Sequence, residues 1–144
     1  MNKQQRNSLS AQAAAISSVV DDITNQSSDF EDLNSEDKIA DAALKALSLH
    51  AGVLDDIRSE IEGIKDDEAE KFANMPEGLQ GSDRGQAMES AADALGEAES
   101  ELEAATEELN GLSATTTYEE AIDVITSTLE HLESALSSIE TASE

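Results

Sequence analysis

Apolar residues along this chain recur in alternating steps of three and four, the period at which an α-helix turns one face to its neighbours. Leu9, Ala13, Ile16, Val20 and Ile23 trace such a face and predict a first helix over residues 8–25. The periodicity lapses in the polar run NQSSDFEDLNSED, which predicts a linker over 26–34. Ala43, Leu47, His50, Leu54, Ile57, Ile61 and Ile64, followed by Phe72, then predict a second helix over 35–74, with Asn34 or Ser35 as its N-cap. At 1.5 Å per residue such a helix would be roughly 60 Å long.

The stretch FANMPEGLQGSDRG holds the only proline, Pro76, which stops the incoming helix, and Gly78, Gly81 and Gly85, whose backbone freedom permits a reversal, and it predicts a hairpin corner over 74–82. Ser82 or Asp83 can cap a third helix over 83–110, where Met88, Leu95, Leu102 and Leu109 alternate with Ala91, Ala98 and Ala105 before Leu112. Its alanine column lets a neighbouring backbone approach closely. Gly111 is placed to end that helix in the left-handed conformation, with Leu112 folding back. Thr117-Tyr118-Glu119-Glu120 matches the capping box and opens a fourth helix over 117–141, carrying Tyr118, Ile122, Ile125, Leu129, Leu132, Leu136 and Ile139. The connector Ser113–Thr116 is too short for anything but an antiparallel return.

Narrow apolar stripes on otherwise polar helices predict an all-α fold. The expectation is one domain over 1–144, an elongated antiparallel bundle of three to four coiled-coil-like helices. The Ser-rich first stripe leaves two placements open for its helix, packed on the hairpin or extending from it. Phe72, Met75 and Leu79 are expected to form a small apolar cap over the bundle end, a partner-contacting loop being the other reading of the corner.

Composition adds to this picture mainly through charge. With no Trp, one Tyr and two Phe, the interior has to be aliphatic. The absence of Cys excludes disulfides and thiolate chemistry. No run of about 18 apolar residues predicts a membrane span, and the basic start MNKQQRNSLS lacks the apolar core of a signal peptide, so a cytoplasmic setting is expected. There are 33 acidic and 8 basic residues, for a formal net charge of -25. The two signs are also segregated: the first twenty residues contain Lys3 and Arg6 and no acid, whereas no Lys or Arg follows Arg84. A polyanion is a poor ligand for nucleic acid or an anionic membrane, so the expected partner is a basic or nucleic-acid-binding protein.

Catalytic and metal chemistry find no foothold. Neither His50 nor His131 has a ligand-type residue three or four positions away, and the run Asp66-Asp67-Glu68-Ala69-Glu70 does not supply the oxygen pattern of an EF-hand loop. No cofactor, metal site or enzymatic activity is expected. What remains is the acid of the last two helices: Glu89, Asp93, Glu97, Glu101 and Glu108, then Glu119, Glu120, Asp123, Glu130 and Glu133, joined at the corner by Glu77 and Gln80. These are the candidate partner-binding residues. Such acidity can serve solubility or a high-salt host, or it can imitate the phosphate charge of a duplex, spaced at about 1.7 Å along the axis.

Residues 57 to 105, IRSEIEGIKDDEAEKFANMPEGLQGSDRGQAMESAADALGEAESELEAA, resemble a motif of small acidic helical proteins encoded by phages and prophages. Its parts are an acidic run closing a helix, an aromatic, Asn74-Met75-Pro76-Glu77, Leu79-Gln80, a Ser/Asp/Arg/Gly turn, and a helix of Leu, Glu and Ala. The basic N-terminus is similar too, while residues 17 to 50 look like an insertion relative to shorter members. The resemblance implies a phage origin and a host-cell cytoplasmic setting, and brings no functional residues with it. Together with the charge it predicts a non-enzymatic inhibitor of a nuclease or defence complex acting by charge mimicry. The alternative is a coiled-coil oligomerisation or virion accessory module, with a homodimer as its simplest form.

Overall fold

In the computed structural model, which describes all residues from Met1 to Glu144, the chain forms α1 Lys3–Glu31, α2 Asp41–Ala73, α3 Glu77–Gln80, α4 Asp83–Asn110 and α5 Tyr118–Ser143. The single turn α3 lies within the corner. The four long helices make an antiparallel up-down-up-down bundle in which α2 packs on α1 and α4, and α5 on α4 and α1. The first helix therefore closes the bundle rather than extending from it. At 26 to 33 residues each, the helices span about 40–50 Å.

The predicted stripes form the interior. Leu9, Ile16, Ile23, Leu47, Leu54, Ile61, Leu95, Leu102, Ile125 and Leu132 are completely shielded from solvent, and all the buried apolar residues but Met88 make one continuous cluster. Ala91, Ala94, Ala98 and Ala105 of α4, with Ala121, Ala135 and Ala142 of α5, are buried between the larger side chains. Small residues at these points let backbones approach, and α4 packs most extensively, against both α2 and α5.

Helix boundaries depart from the sequence expectation at the linker. α1 begins earlier, because Asn2 and Gln5 form a capping box: the Asn2 side chain accepts from the Gln5 N–H at 2.9 Å and the Gln5 side chain from the Asn2 N–H at 3.0 Å. It also ends later. Phe30 lies one heptad beyond Ile23, is buried, and packs against Tyr118 with ring centroids 5.0 Å apart, which carries the helix through the polar run. The linker accordingly occupies residues 32–40 rather than 26–34, and α2 starts at Asp41 rather than near 35.

Asn34 and Ser35 consequently do not cap α2. The Asn34 side chain accepts from the Glu36 N–H, while the carbonyls of Ser35 and Asp37 accept from the N–H groups of Glu119 and Tyr118 at 3.1 and 2.9 Å. Ile39 N–H donates to the Thr116 carbonyl at 2.7 Å, and Ala40 N–H to the Tyr118 hydroxyl at 3.2 Å. The linker is thus a strap across the α4–α5 turn. With the Thr117–Glu120 capping box it satisfies the first N–H groups of α5, which the helix itself leaves unpaired.

The corner also works differently from expectation. No residue in the chain has a positive φ, so neither the reversal at 74–82 nor the end of α4 uses a left-handed glycine. Gly111 is right-handed, at φ -73°, and its N–H donates to the carbonyls of Glu107 and Glu108. The glycine that the corner requires is Gly85, in the first turn of α4: a Cβ there would lie 2.1 Å from the Gln80 carbonyl oxygen. The expected apolar cap is incomplete, since Phe72 and Met75 are half-buried and Leu79 is 54% exposed.

Candidate functional site

α4 and α5 lie side by side with their stripes inward, which turns the acidic positions outward. Along α4, Glu89, Asp93, Glu97 and Glu101 follow one another at four-residue intervals, about 6 Å apart along the axis. Beside this row runs an open groove of about 980 Å³ between α2, α4 and α5. Its floor is made of small residues, including Ala92, Gly96 and Ser100 of α4 and Ser134, Ser137 and Ser138 of α5; Asp93, Glu97 and Glu101 stand along it, with Lys65 of α2 the one cation in the lining. The small floor lets another chain approach closely, and the acid beside it favours a cationic one.

The remaining candidates divide by what they already bind. Glu77, Glu89, Asp93, Glu97, Glu119, Asp123, Glu130 and Glu133 are exposed and make no ion pair within the molecule. Glu120 is committed to the α5 capping box. Gln80 is spent on the corner, donating to the carbonyls of Met75 and Phe72 at 3.0 and 3.4 Å. Glu101 and Glu108 both face His131: Glu101 lies 2.6 Å from Nδ1 and Glu108 lies 3.4 Å from Nε2. Glu108 also accepts from the Ser127 hydroxyl at 2.7 Å and from the buried Thr128 hydroxyl at 3.4 Å. The Glu101 hydrogen bond, opposed by partial burial and helped by both carboxylate charges, raises the His131 pKa above its ordinary value. His131 is therefore an electrostatic tie between α4 and α5.

Other acids of α4 are relieved across the helix interface, a pattern that i, i+4 reading along one helix does not reveal. Lys65 of α2 pairs with Glu99 at 2.5 Å, and Arg58 of α2 with Glu103 at 3.7 Å while also holding Asp55 of its own helix at 3.0 Å. The Glu99 hydrogen bond raises the Lys65 pKa, which keeps this cation charged at any ordinary pH. The acidic surface is consequently thinned beside α2 and unrelieved on α5.

The most deeply buried charge lies elsewhere. Glu68 of α2 has no exposed surface; its carboxylate pairs with the Met1 ammonium at 3.1 Å and with Lys71 Nζ at 2.9 Å. Lys71 also donates to the side chain of Gln5, itself buried, at 2.8 Å. Burial pushes the Glu68 pKa up, but the hydrogen bonds and charges of Lys71 and the ammonium outweigh it and hold the carboxyl below its usual range. The sequence carries a signal for this group: Glu68 falls in stripe register four residues after Ile64 and four before Phe72. His50, on the same helix, is partly buried, which lowers its pKa against the opposing pull of Asp22.

No three His, Cys, Asp or Glu side chains are arranged to hold a metal ion. No helix is long and apolar enough to cross a membrane. Protein families, curated proteins and solved structures show no match to the chain.

Proposed function

We propose that the α4–α5 face is a polyanionic docking surface that binds and inhibits a basic or nucleic-acid-binding protein by occupying its phosphate-recognising surface. The observation that carries this reading is the groove beside Asp93 and Glu97, where exposed, unpaired carboxylates flank a floor of alanine, glycine and serine. A single strand of a duplex carries one charge per about 3.4 Å, so a row at about 6 Å supplied by α4, joined by the acids of α5, reaches comparable density. The resemblance of residues 57 to 105 to phage-encoded acidic proteins extends the reading to a phage protein that acts in the host cytoplasm on a nuclease or defence complex. The face is used for binding and not for chemistry.

Binding of the 144-residue protein to a panel of nucleases and DNA-binding proteins, measured across salt, tests this. The expected result is competition with duplex DNA and an affinity that falls steeply as salt rises. Neutralising Glu89, Asp93 and Glu97 together to Gln, Asn and Gln should weaken binding by about tenfold or more. Affinity that stays flat with salt, or is unchanged in the triple variant, would overturn the mechanism.

A second reading, self-association, rests on Leu49 and Val53. They stand one turn apart on α2, 71% and 43% exposed, with Leu49 beside Asp22, Asn25 and Gln26 of α1. Sedimentation of the protein at physiological salt decides it: a dimer disrupted by Leu49→Glu supports this reading, and a monomer at high concentration removes it.

A further inference from the structure

One cavity at the corner end of the bundle is lined by cations rather than acids. Arg6 of α1, Lys71 of α2 and Arg84 of α4 line a cavity of about 380 Å³ with Met1, Asn2, Ala87 and Met88, and no acidic side chain lines it. It adjoins a second hollow of about 610 Å³ that shares Asn2, Lys71, Arg84 and Met88 and adds the apolar surface of Met75, Pro76 and the exposed Leu79, with Asp67 and Glu70 also in its lining. All three methionines of the chain meet in this joined groove.

Two of the three basic side chains here take no part in an ion pair. Lys71 is held by Glu68 and Gln5, but neither Arg6 nor Arg84 enters any ion pair, although the chain contains 33 acidic residues. Both arginines also sit in the opening turns of helices, where the macrodipole disfavours a cation. With no carboxylate holding either one, both guanidinium groups are free to meet an anion that enters the cavity. Methionine supplies a deformable apolar floor that adjusts to different side chains.

We infer that this groove docks an acidic peptide segment of a partner protein, with a carboxylate between Arg6 and Arg84 and an adjacent apolar side chain on the methionine floor. Charge complementarity selects the anion, and the Met75–Pro76–Leu79 surface selects a peptide with an apolar residue beside its acid over a free ion. Because the molecule as a whole is strongly negative, such a segment is repelled at a distance and held only on contact. The groove is separate from the acidic face, and its test does not depend on that reading.

Labelling the methionine methyl groups of the full chain with carbon-13 places a reporter at each side of the groove. Titration with a capped hexapeptide of alternating Leu and Glu should give saturable shifts at Met1, Met75 and Met88. Binding should weaken by about tenfold or more for the Leu/Gln peptide and for the Arg6→Gln/Arg84→Gln protein, and recover in Arg6→Lys/Arg84→Lys. Both arginines are exposed, so these variants should keep the far-UV circular dichroism of the parent. Absence of shifts up to millimolar peptide, equal response to the two peptides, unchanged affinity in the glutamine variant, or inorganic phosphate binding as tightly as the peptide would each overturn the proposal.

Discussion

At the scale of single residues, two ionisable groups carry opposite pH dependence. The Glu68 pKa is depressed on folding, so its contribution to stability is present above the unfolded value near 4.5 and is lost as pH falls through the lower folded value. Glu68→Gln leaves the Met1 ammonium without its counter-charge and should cost about 3 kcal/mol at pH 7, the deficit closing once the parent carboxylate is also protonated. Urea unfolding of both proteins from pH 7 to pH 3 measures this; a deficit that does not change with pH would mean that the charge is immaterial. His131 behaves in the reverse sense. Its raised pKa gives stability that is full below the ordinary value of 6.5 and is lost as pH rises through the folded value. His131→Gln should therefore lose about 0.5–1 kcal/mol near pH 5.5 and much less near pH 9, read by the same unfolding titration. Glu68 was visible as a carboxylate in stripe register, but nothing in the local sequence says that Met1 and Lys71 come to meet it. The partners of His131 are thirty and twenty-three positions away on another helix, a distance that only the antiparallel register spans.

Among the elements, helix identity was legible because the three-four spacing of apolar residues is long and regular, and the capping box at Thr117 marks the start of α5 correctly. The linker lies later than the periodicity predicts because its determinants are non-local. Phe30 extends α1 by packing on Tyr118, and residues 35–39 are held off the helical path by backbone bonds to residues 116–119. At the corner, likewise, close approach and not backbone freedom is what requires a glycine. Gly85→Ala drives a Cβ into the Gln80 carbonyl and should cost about 2–3 kcal/mol. Gly78→Ala meets nothing within 4 Å, lies in helical backbone, and should be neutral or stabilising by about 0.5 kcal/mol. Melting temperatures of the two variants separate the explanations, since equal losses would indicate that conformational freedom matters at both sites.

For the molecule as a whole, the charge read from the sequence survives folding but is redistributed. α2 lends cations to α4 through Lys65 and Arg58, α5 lends only His131 and receives none, and the corner gathers Arg6, Lys71 and Arg84. Mutual repulsion among the remaining carboxylates opposes the compact state, so added sodium chloride should raise the melting temperature by several degrees before any specific ion effect enters. A melting temperature that falls with salt would instead show that the few internal ion pairs dominate. The buried Tyr118 has a further consequence. With no tryptophan in the chain, it is the sole strong near-ultraviolet chromophore, and it is fixed between Phe30 and the strap at one end of a bundle about 40–50 Å long. Its fluorescence therefore watches that end alone, while far-UV circular dichroism averages over every helix. Heating curves that coincide in the two signals would establish that the two ends of the bundle melt as one cooperative unit; curves that separate would locate a fraying end without any label.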